Sequence, residues 1–309
     1  MSDGVEVWSG GVNTWECDEM GHLNVRFWVT KAMEGLGAFV AELGLPRALA
    51  PESETTFLVQ EHHIRFLKEA RAGAALWMSG SVVELGEDWA QLVLVIRHPD
   101  GTPGATFQTR IRHVATSDLS PRPWPQRVLD RSADLMGTVP AYAAARSVEL
   151  GLVVSGASLA KALDLGMTRI GLGIIGPDDL DIFGRMRPEL FIGRVSDGVA
   201  RLFGETRPGP ALAPGETPPR VGGAVLEYRV LYHNWPRAGD RTEIRSGFAG
   251  AEPKTRRVMH WMLDPESGKP WVTAEAIVIS FDLDRRKVIE ISPEALASFE
   301  DQVLAGLSL

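Results

Sequence analysis

Asp18-Glu19-Met20-Gly21-His22-Leu23-Asn24-Val25-Arg26-Phe27 gathers a carboxylate, a glycine turn, a histidine and an asparagine at the mouth of an apolar, periodic segment. A degenerate copy lies 163 residues further on, Asp181-Ile182-Phe183-Gly184-Arg185-Met186-Arg187-Pro188-Glu189-Leu190. There the aspartate and glycine recur in register, while the histidine and asparagine positions both carry arginine. Internal repeats decide an architecture before local propensity does, and this one extends outward from the loop. At the same offset Glu34-Gly35 meets Asp197-Gly198, and Phe27, Trp28, Val29 and Ala32 meet Leu190, Phe191, Ile192 and Val195. After an insertion the offset becomes 166, where Glu61 meets Glu227 and Arg71-Ala72-Gly73 meets Arg237-Ala238-Gly239. The chain reads as two copies of one module, the first with its polar loop intact and the second with it altered.

The period of the apolar residues supplies the elements around each loop. Val5 to Val12 alternates as a strand. Val25, Val29, Ala32, Leu36, Phe39, Val40 and Leu43 then follow helical spacing up to a Gly44/Pro46 stop. Gly35 and Gly37 inside that helix cost about 1 kcal/mol each relative to alanine, which predicts close approach of a sheet. Strands are expected at Phe57–Leu67, Leu76–Leu85, Trp89–His98 and Ala105–Ala115. The second half repeats the order, with a strand at Met167–Ile175, a helix at Glu189–Phe203 and strands near Val225–His233, Thr242–Phe248, Arg256–Leu263 and Trp271–Phe281. Arg207–Gly223, rich in proline and glycine, reads as an exposed loop. Ser292-Pro293-Glu294 reads as the cap and first turn of a terminal helix. One strand, a helix and an antiparallel run is an α+β pattern. The expected organisation is a first module over residues 1–120, a connecting segment over 121–166 and a second module over 167–309.

A chain of 309 residues is long enough for two such cores. Its net charge of −8 opposes a nucleic-acid surface, which needs a basic face. No apolar run reaches the ~18 residues of a membrane span, and the first residues lack a basic start followed by an apolar stretch. These features, with a single cysteine, Cys17, that cannot form an internal disulfide, predict a cytoplasmic protein without a membrane partner. Cys17, His22, His62 and His63 do not have a zinc-ligand spacing, so no metal is expected.

The order of elements, with an aspartate-glycine-histidine-asparagine loop entering a long helix, resembles the hot-dog fold. The loop is similar to that of acyl-CoA thioesterases of the 4-hydroxybenzoyl-CoA thioesterase type, with Gly21-His22-Leu23-Asn24-Val25 close to a bacterial variant. The close match covers about a dozen residues; the order of elements extends it across most of the chain. The resemblance implies a double hot-dog, two central helices each wrapped by an antiparallel sheet and related by a pseudo-twofold axis. It implies an acyl-CoA substrate, no cofactor, and room for a homodimer of double hot-dog chains. Acyl-carrier protein is a second conceivable carrier.

In the resembling family the aspartate three residues before the glycine is the general base or nucleophile of thioester hydrolysis, and that position is Asp18. The family's oxyanion donor seven residues later falls on the backbone amide of Val25, where unpaired helix-start amides offer donors and a favourable dipole. His22 and Asn24 flank the turn and are candidates to orient water, the thioester or Asp18. Each has a plainer use: Asp18 as a turn aspartate bonding backbone amides, His22 as a loop histidine, Asn24 as a helix cap. Glu34 and Asp197 share a place in the repeat that suits a structural role. His62 and His63 point to opposite faces of a strand. In the second loop Arg185 and Arg187 could ion-pair with Asp181 and spoil it as a base, or hold pyrophosphate or carboxylate groups bidentately; the ion-pairing reading predicts one working site per chain. Two other functions fit the fold, a non-catalytic acyl-CoA sensor and a hydratase or dehydratase, although the latter's aspartate/asparagine-histidine loop is not found.

Overall fold

The structure, a computed structural model, describes residues 4–203, 220–285 and 287–309. It divides into two compact units, Met1–Ala145 with Gly176–Gly193, and Arg146–Ile175 with Arg194–Leu309. The connecting segment thus contributes to both units, and the altered loop is grouped with the first.

In the first unit, β1 (Val5–Gly11) is followed by α1 (Val25–Glu42), then β2 (Thr55–Phe66), β3 (Ala75–Leu85), β4 (Trp89–Arg97), β5 (Pro103–Ala115) and α2 (Gln126–Leu135). The strands form an antiparallel sheet in the order β1-β3-β4-β5-β2. Trp28, Val29, Ala32, Leu36, Phe39 and Val40 make the buried face of α1. Each large apolar side chain buried this way stabilises by roughly 1.5–3 kcal/mol. Of the two glycines inside the helix, Gly35 has the expected packing reason, since a Cβ there would fall 2.3 Å from Met78 Sδ in β3, whereas a Cβ on Gly37 would meet Leu49 of the following loop and no sheet. Gly80, also in β3, makes room in the same way for the ring of Phe39.

The second unit contains α3 (Leu159–Asp164), β6 (Thr168–Ile174), β7 (Val221–Tyr232), β8 (Arg241–Ala251), β9 (Arg256–Leu263), β10 (Pro270–Asp282) and the short β11 (Lys287–Val288). The order β6-β8-β9-β10-β7 reproduces that of the first sheet strand for strand, with β11 added against β10. The last helix, α6 (Pro293–Glu300), is capped by Ser292, whose side chain accepts from the amide of Ala295. Strand, helix and four antiparallel strands therefore occur twice, and the fold is an α+β double hot-dog.

Two expectations change. The helix predicted over Glu189–Phe203 is two pieces, α4 (Glu189–Gly198) and α5 (Ala200–Phe203). The break follows Gly198, which approaches the Ile170 carbonyl so closely that a Cβ would overlap it, while Arg201 donates to the same oxygen at 2.8 Å. The predicted loop Arg207–Gly223 lies outside the described residues up to 219, and its last three residues already belong to β7.

Candidate active site

Asp18 organises its own turn. Its Oδ1 accepts from the amides of Met20 at 2.9 Å and His22 at 3.0 Å, its amide donates to the His22 carbonyl at 2.8 Å, and its carbonyl accepts from Gly21. Gly21 closes the turn at φ +75°, a left-handed conformation that costs a side-chain-bearing residue about 1–2 kcal/mol. Asp18 is half-buried, and its Oδ2 has no hydrogen bond among the described residues. The turn thus fixes one oxygen of the carboxylate and leaves the other available.

The chain then enters α1. Asn24 has extended backbone, and its side chain accepts from the amide of Arg26 at 2.9 Å, the ordinary work of an N-cap. Its carbonyl takes the amides of Phe27 and Trp28. Between them Val25, first residue of the helix, keeps an amide with no hydrogen bond among the described residues. That leaves a donor at the positive end of the helix dipole.

Beneath the loop is a buried ion pair that the sequence did not announce. Lys31, in the second turn of α1, donates to both oxygens of Glu16 at 2.8 and 3.0 Å and to the Gly11 carbonyl at 3.0 Å. Glu16 also accepts from the amide of Asn13 at 2.8 Å, closing the short helical turn Thr14–Glu16, and its carbonyl accepts from Asn24. One lysine therefore ties the end of β1, the loop and the helix together. The readable signal was an apolar helix face interrupted by one lysine.

His22 is buried, and its Nε2 lies 2.8 Å from Arg71 Nη2 and 3.2 Å from Glu69 Oε2. One nitrogen cannot serve both contacts as written. Arginine only donates, so the shorter contact makes Nε2 an acceptor and puts the ring proton on Nδ1. Glu34 accepts from the Trp8 indole at 2.7 Å, joining α1 to β1. His62 Nδ1 pairs with the Thr109 hydroxyl, and His63 Nδ1 with the Gln108 amide, which also donates to the Ala143 carbonyl. Cys17 is a free, half-buried thiol. Among the described residues no group of three or more His, Cys, Asp or Glu is arranged to hold a metal, and no helix is long and apolar enough to cross a membrane. A surface cavity of about 310 Å3 lined by Leu45, Arg47, Ser53 and Arg127 adjoins the other end of α1.

The second loop repeats the aspartate turn of the first. Asp181 Oδ1 accepts from the amides of Phe183 at 2.9 Å and Arg185 at 3.0 Å, the Asp181 amide donates to the Arg185 carbonyl, and Gly184 sits at φ +72°. Arg187 donates its amide to Asp179 as Asn24 does to Glu16, and Asp179 closes on Gly176 as Glu16 closes on Asn13. Two of the differences bear on the chemistry. Asp181 Oδ2, the counterpart of the available oxygen, is taken by Arg185 through Nε at 2.8 Å and Nη2 at 2.6 Å. Pro188 occupies the position of Val25 and has no amide hydrogen.

The profile of the thioesterase-like superfamily matches the chain twice, over residues 12–131 and 175–299. The chain belongs to this superfamily. No curated protein sequence matches it. Solved structures share its fold over nearly the whole length. A Lactobacillus plantarum protein assigned as an oleoyl thioesterase is 11% identical with a TM-score of 0.66, covering 90% of this chain and 97% of its own. The 12:0-ACP thioesterase of Umbellularia californica is 11% identical with a TM-score of 0.65, covering 88% and 93%. An acyl-ACP thioesterase of Bacteroides thetaiotaomicron is 10% identical with a TM-score of 0.62, covering 88% and 96%.

Proposed function

We propose that this chain hydrolyses an acyl thioester, with coenzyme A as the carrier, at one site built on Asp18. The observation that carries the reading is a pair of groups at one loop-helix junction: an oxygen of Asp18 and the amide of Val25 both make no hydrogen bond among the described residues. As a base, Asp18 Oδ2 takes a proton from water while the water oxygen bonds to the thioester carbon. The carbonyl electrons move to oxygen, and the Val25 amide stabilises that charge. Collapse breaks the carbon–sulfur bond, and the thiolate leaves with the proton that Asp18 holds. As a nucleophile, the same oxygen would bond to the carbon and expel the thiolate, and water would then hydrolyse the mixed anhydride to the free acid and the restored Asp18 carboxylate. His22 and Asn24 act on this chemistry by shaping the turn and the helix start.

The test is thiol release from acetyl-, hexanoyl-, palmitoyl- and benzoyl-CoA, with the same acyl groups offered on acyl-carrier protein because two structures sharing the fold are named for such thioesters. Asp18→Asn keeps an acceptor for the Met20 and His22 amides and removes the charge, so turnover should fall by at least ~10²-fold while substrate binding changes much less. Label found in Asp18 after single turnover in 18O-water identifies the nucleophile route, in which water attacks the Asp18 carboxyl carbon of the anhydride. Normal thiol release by folded Asp18→Asn would sink the mechanism. Tight acyl-CoA binding without release by the wild type would make the chain a sensor.

A further inference from the structure

We propose that Glu189 and Gly193, one turn apart on a single face of α4, are positioning residues for the Asp18 site that seat Arg26 and, through it, the first turn of α1. The inference rests on Val25 serving as the oxyanion donor. Arg26 directly follows Val25, and its amide is the one held by Asn24 at 2.9 Å. Its side chain runs across Gly193, where a Cβ would lie 2.8 Å from Arg26 Cδ and 3.4 Å from Nε, so the path exists because position 193 has no side chain. Residues four apart share a helix face, which places Glu189 along the line Arg26 follows. Glu189 is 4% exposed, and Arg187 Nε approaches its Oε1 at 3.5 Å. Arg26 Nε is buried and has no hydrogen bond among the described residues, and its guanidinium stands 5.3 Å from the Phe27 ring centroid. All these residues belong to the first unit.

The charges explain why a carboxylate is useful there. A cation in the first turn of a helix faces the positive end of the dipole, so Arg26 is poorly placed unless a negative group accompanies it. Glu189 is the residue that the repeat sets opposite Arg26 in sequence, and the two copies have diverged to opposite signs. Burial pushes the Glu189 carboxyl above the usual carboxylate range and Glu34 of α1 adds to this, while its own amide, Arg187 and Arg26 pull the other way. Loss of the Glu189 charge at low pH should therefore loosen Arg26 before ordinary carboxylates titrate.

Glu189→Gln and Gly193→Ala, made in the full chain, test this with the best substrate of the acyl-CoA panel. Each should lower kcat about 10-fold with KM changing less than about twofold, as expected for a misaligned donor. On the acid side the wild type should lose up to about 10-fold in kcat as Glu189 takes up its proton, a step that Glu189→Gln should lack. Amide exchange at residues 25–28 should quicken in both variants. Wild-type kcat and an unchanged acid limb in both, or a loss that only tracks the folded fraction, would overturn the positioning role. Unchanged exchange would overturn the seating of α1. A wild type that releases no thiol overturns the hydrolase reading itself, and the catalytic part of this proposal with it.

Discussion

Val25 and Pro188 hold the same position in two loops built on the same aspartate turn, Val25 as the first residue of α1 and Pro188 directly before α4, and only Val25 has an amide hydrogen to offer. The turn around each aspartate is intact. What the second copy lacks is the outward-facing chemistry, because Arg185 occupies the free carboxylate oxygen and proline deletes the donor.

The second loop thereby supplies the design of a test on the first. Proline is well suited to the first position of a helix, and Asn24 already has φ −63° and ψ 144°, the extended geometry a following proline requires. Val25→Pro should therefore remove one hydrogen and little else. Turnover should fall by ~10²- to 10³-fold, the scale of one lost oxyanion donor, with the melting temperature within a few degrees of wild type. Undiminished kcat in this variant would remove Val25 from the mechanism.

Asp181→Asn should do the opposite of Asp18→Asn. Its carboxylate is tied to Arg185, which is buried, so removing the charge strands a cation and lowers stability, by about 1–3 kcal/mol for a charged hydrogen-bonded group. Thiol release per folded molecule should stay near wild type. Active-site titration giving two equivalent events per chain, or activity lost with Asp181 and kept without Asp18, would reverse the assignment.

Lys31 and Glu16 make a buried pair whose loss should be felt across the loop. Lys31→Met leaves the Glu16 carboxylate inside the protein with the Asn13 contacts, and breaking such a pair typically costs ~3–5 kcal/mol. Adding Glu16→Gln should recover part of that loss, because the uncompensated charge goes with it. Urea unfolding of the two single variants and the double variant measures this. Additive losses would mean that the two groups do not act as a pair.

The duplication, the order of elements and the loop were readable because they depend on short-range signals: periodicity, glycine at a left-handed turn, an asparagine before an apolar run. The break at Gly198 was not, since it arises from contact with the Ile170 carbonyl, distant in sequence. Nor was the Lys31–Glu16 pair, whose members lie in different elements and meet only when β1 and α1 pack. Pro188 was legible as a helix-start residue, and its meaning emerged only when the backbone placed it on Val25. His22 and Arg71 were marked for separate reasons, one as loop chemistry and one as a repeat landmark, and the fold joined them.

Two buried histidines should make stability depend on pH in a window of their own. His62, beside the Thr109 hydroxyl, and His260, 2.7 Å from the Ser246 hydroxyl, are both held by burial at a pKa of about 3. In the unfolded chain a histidine titrates near ~6.5. Above that pH neither state binds the protons and the full stability is present. As pH falls below it, the unfolded chain takes up two protons that the folded chain refuses, and the fold loses up to ~1.4 kcal/mol per pH unit for each residue until about pH 3. The other five histidines also take up protons in the unfolded chain over this range, and burial pushes His113 and His233 down as well, so the contribution of this pair is read from the difference in slope between two proteins. The double variant His62→Gln, His260→Gln should show a flatter pH dependence than wild type across that interval, whatever its absolute stability. Equal slopes in the two proteins would mean that neither histidine is kept neutral by the fold.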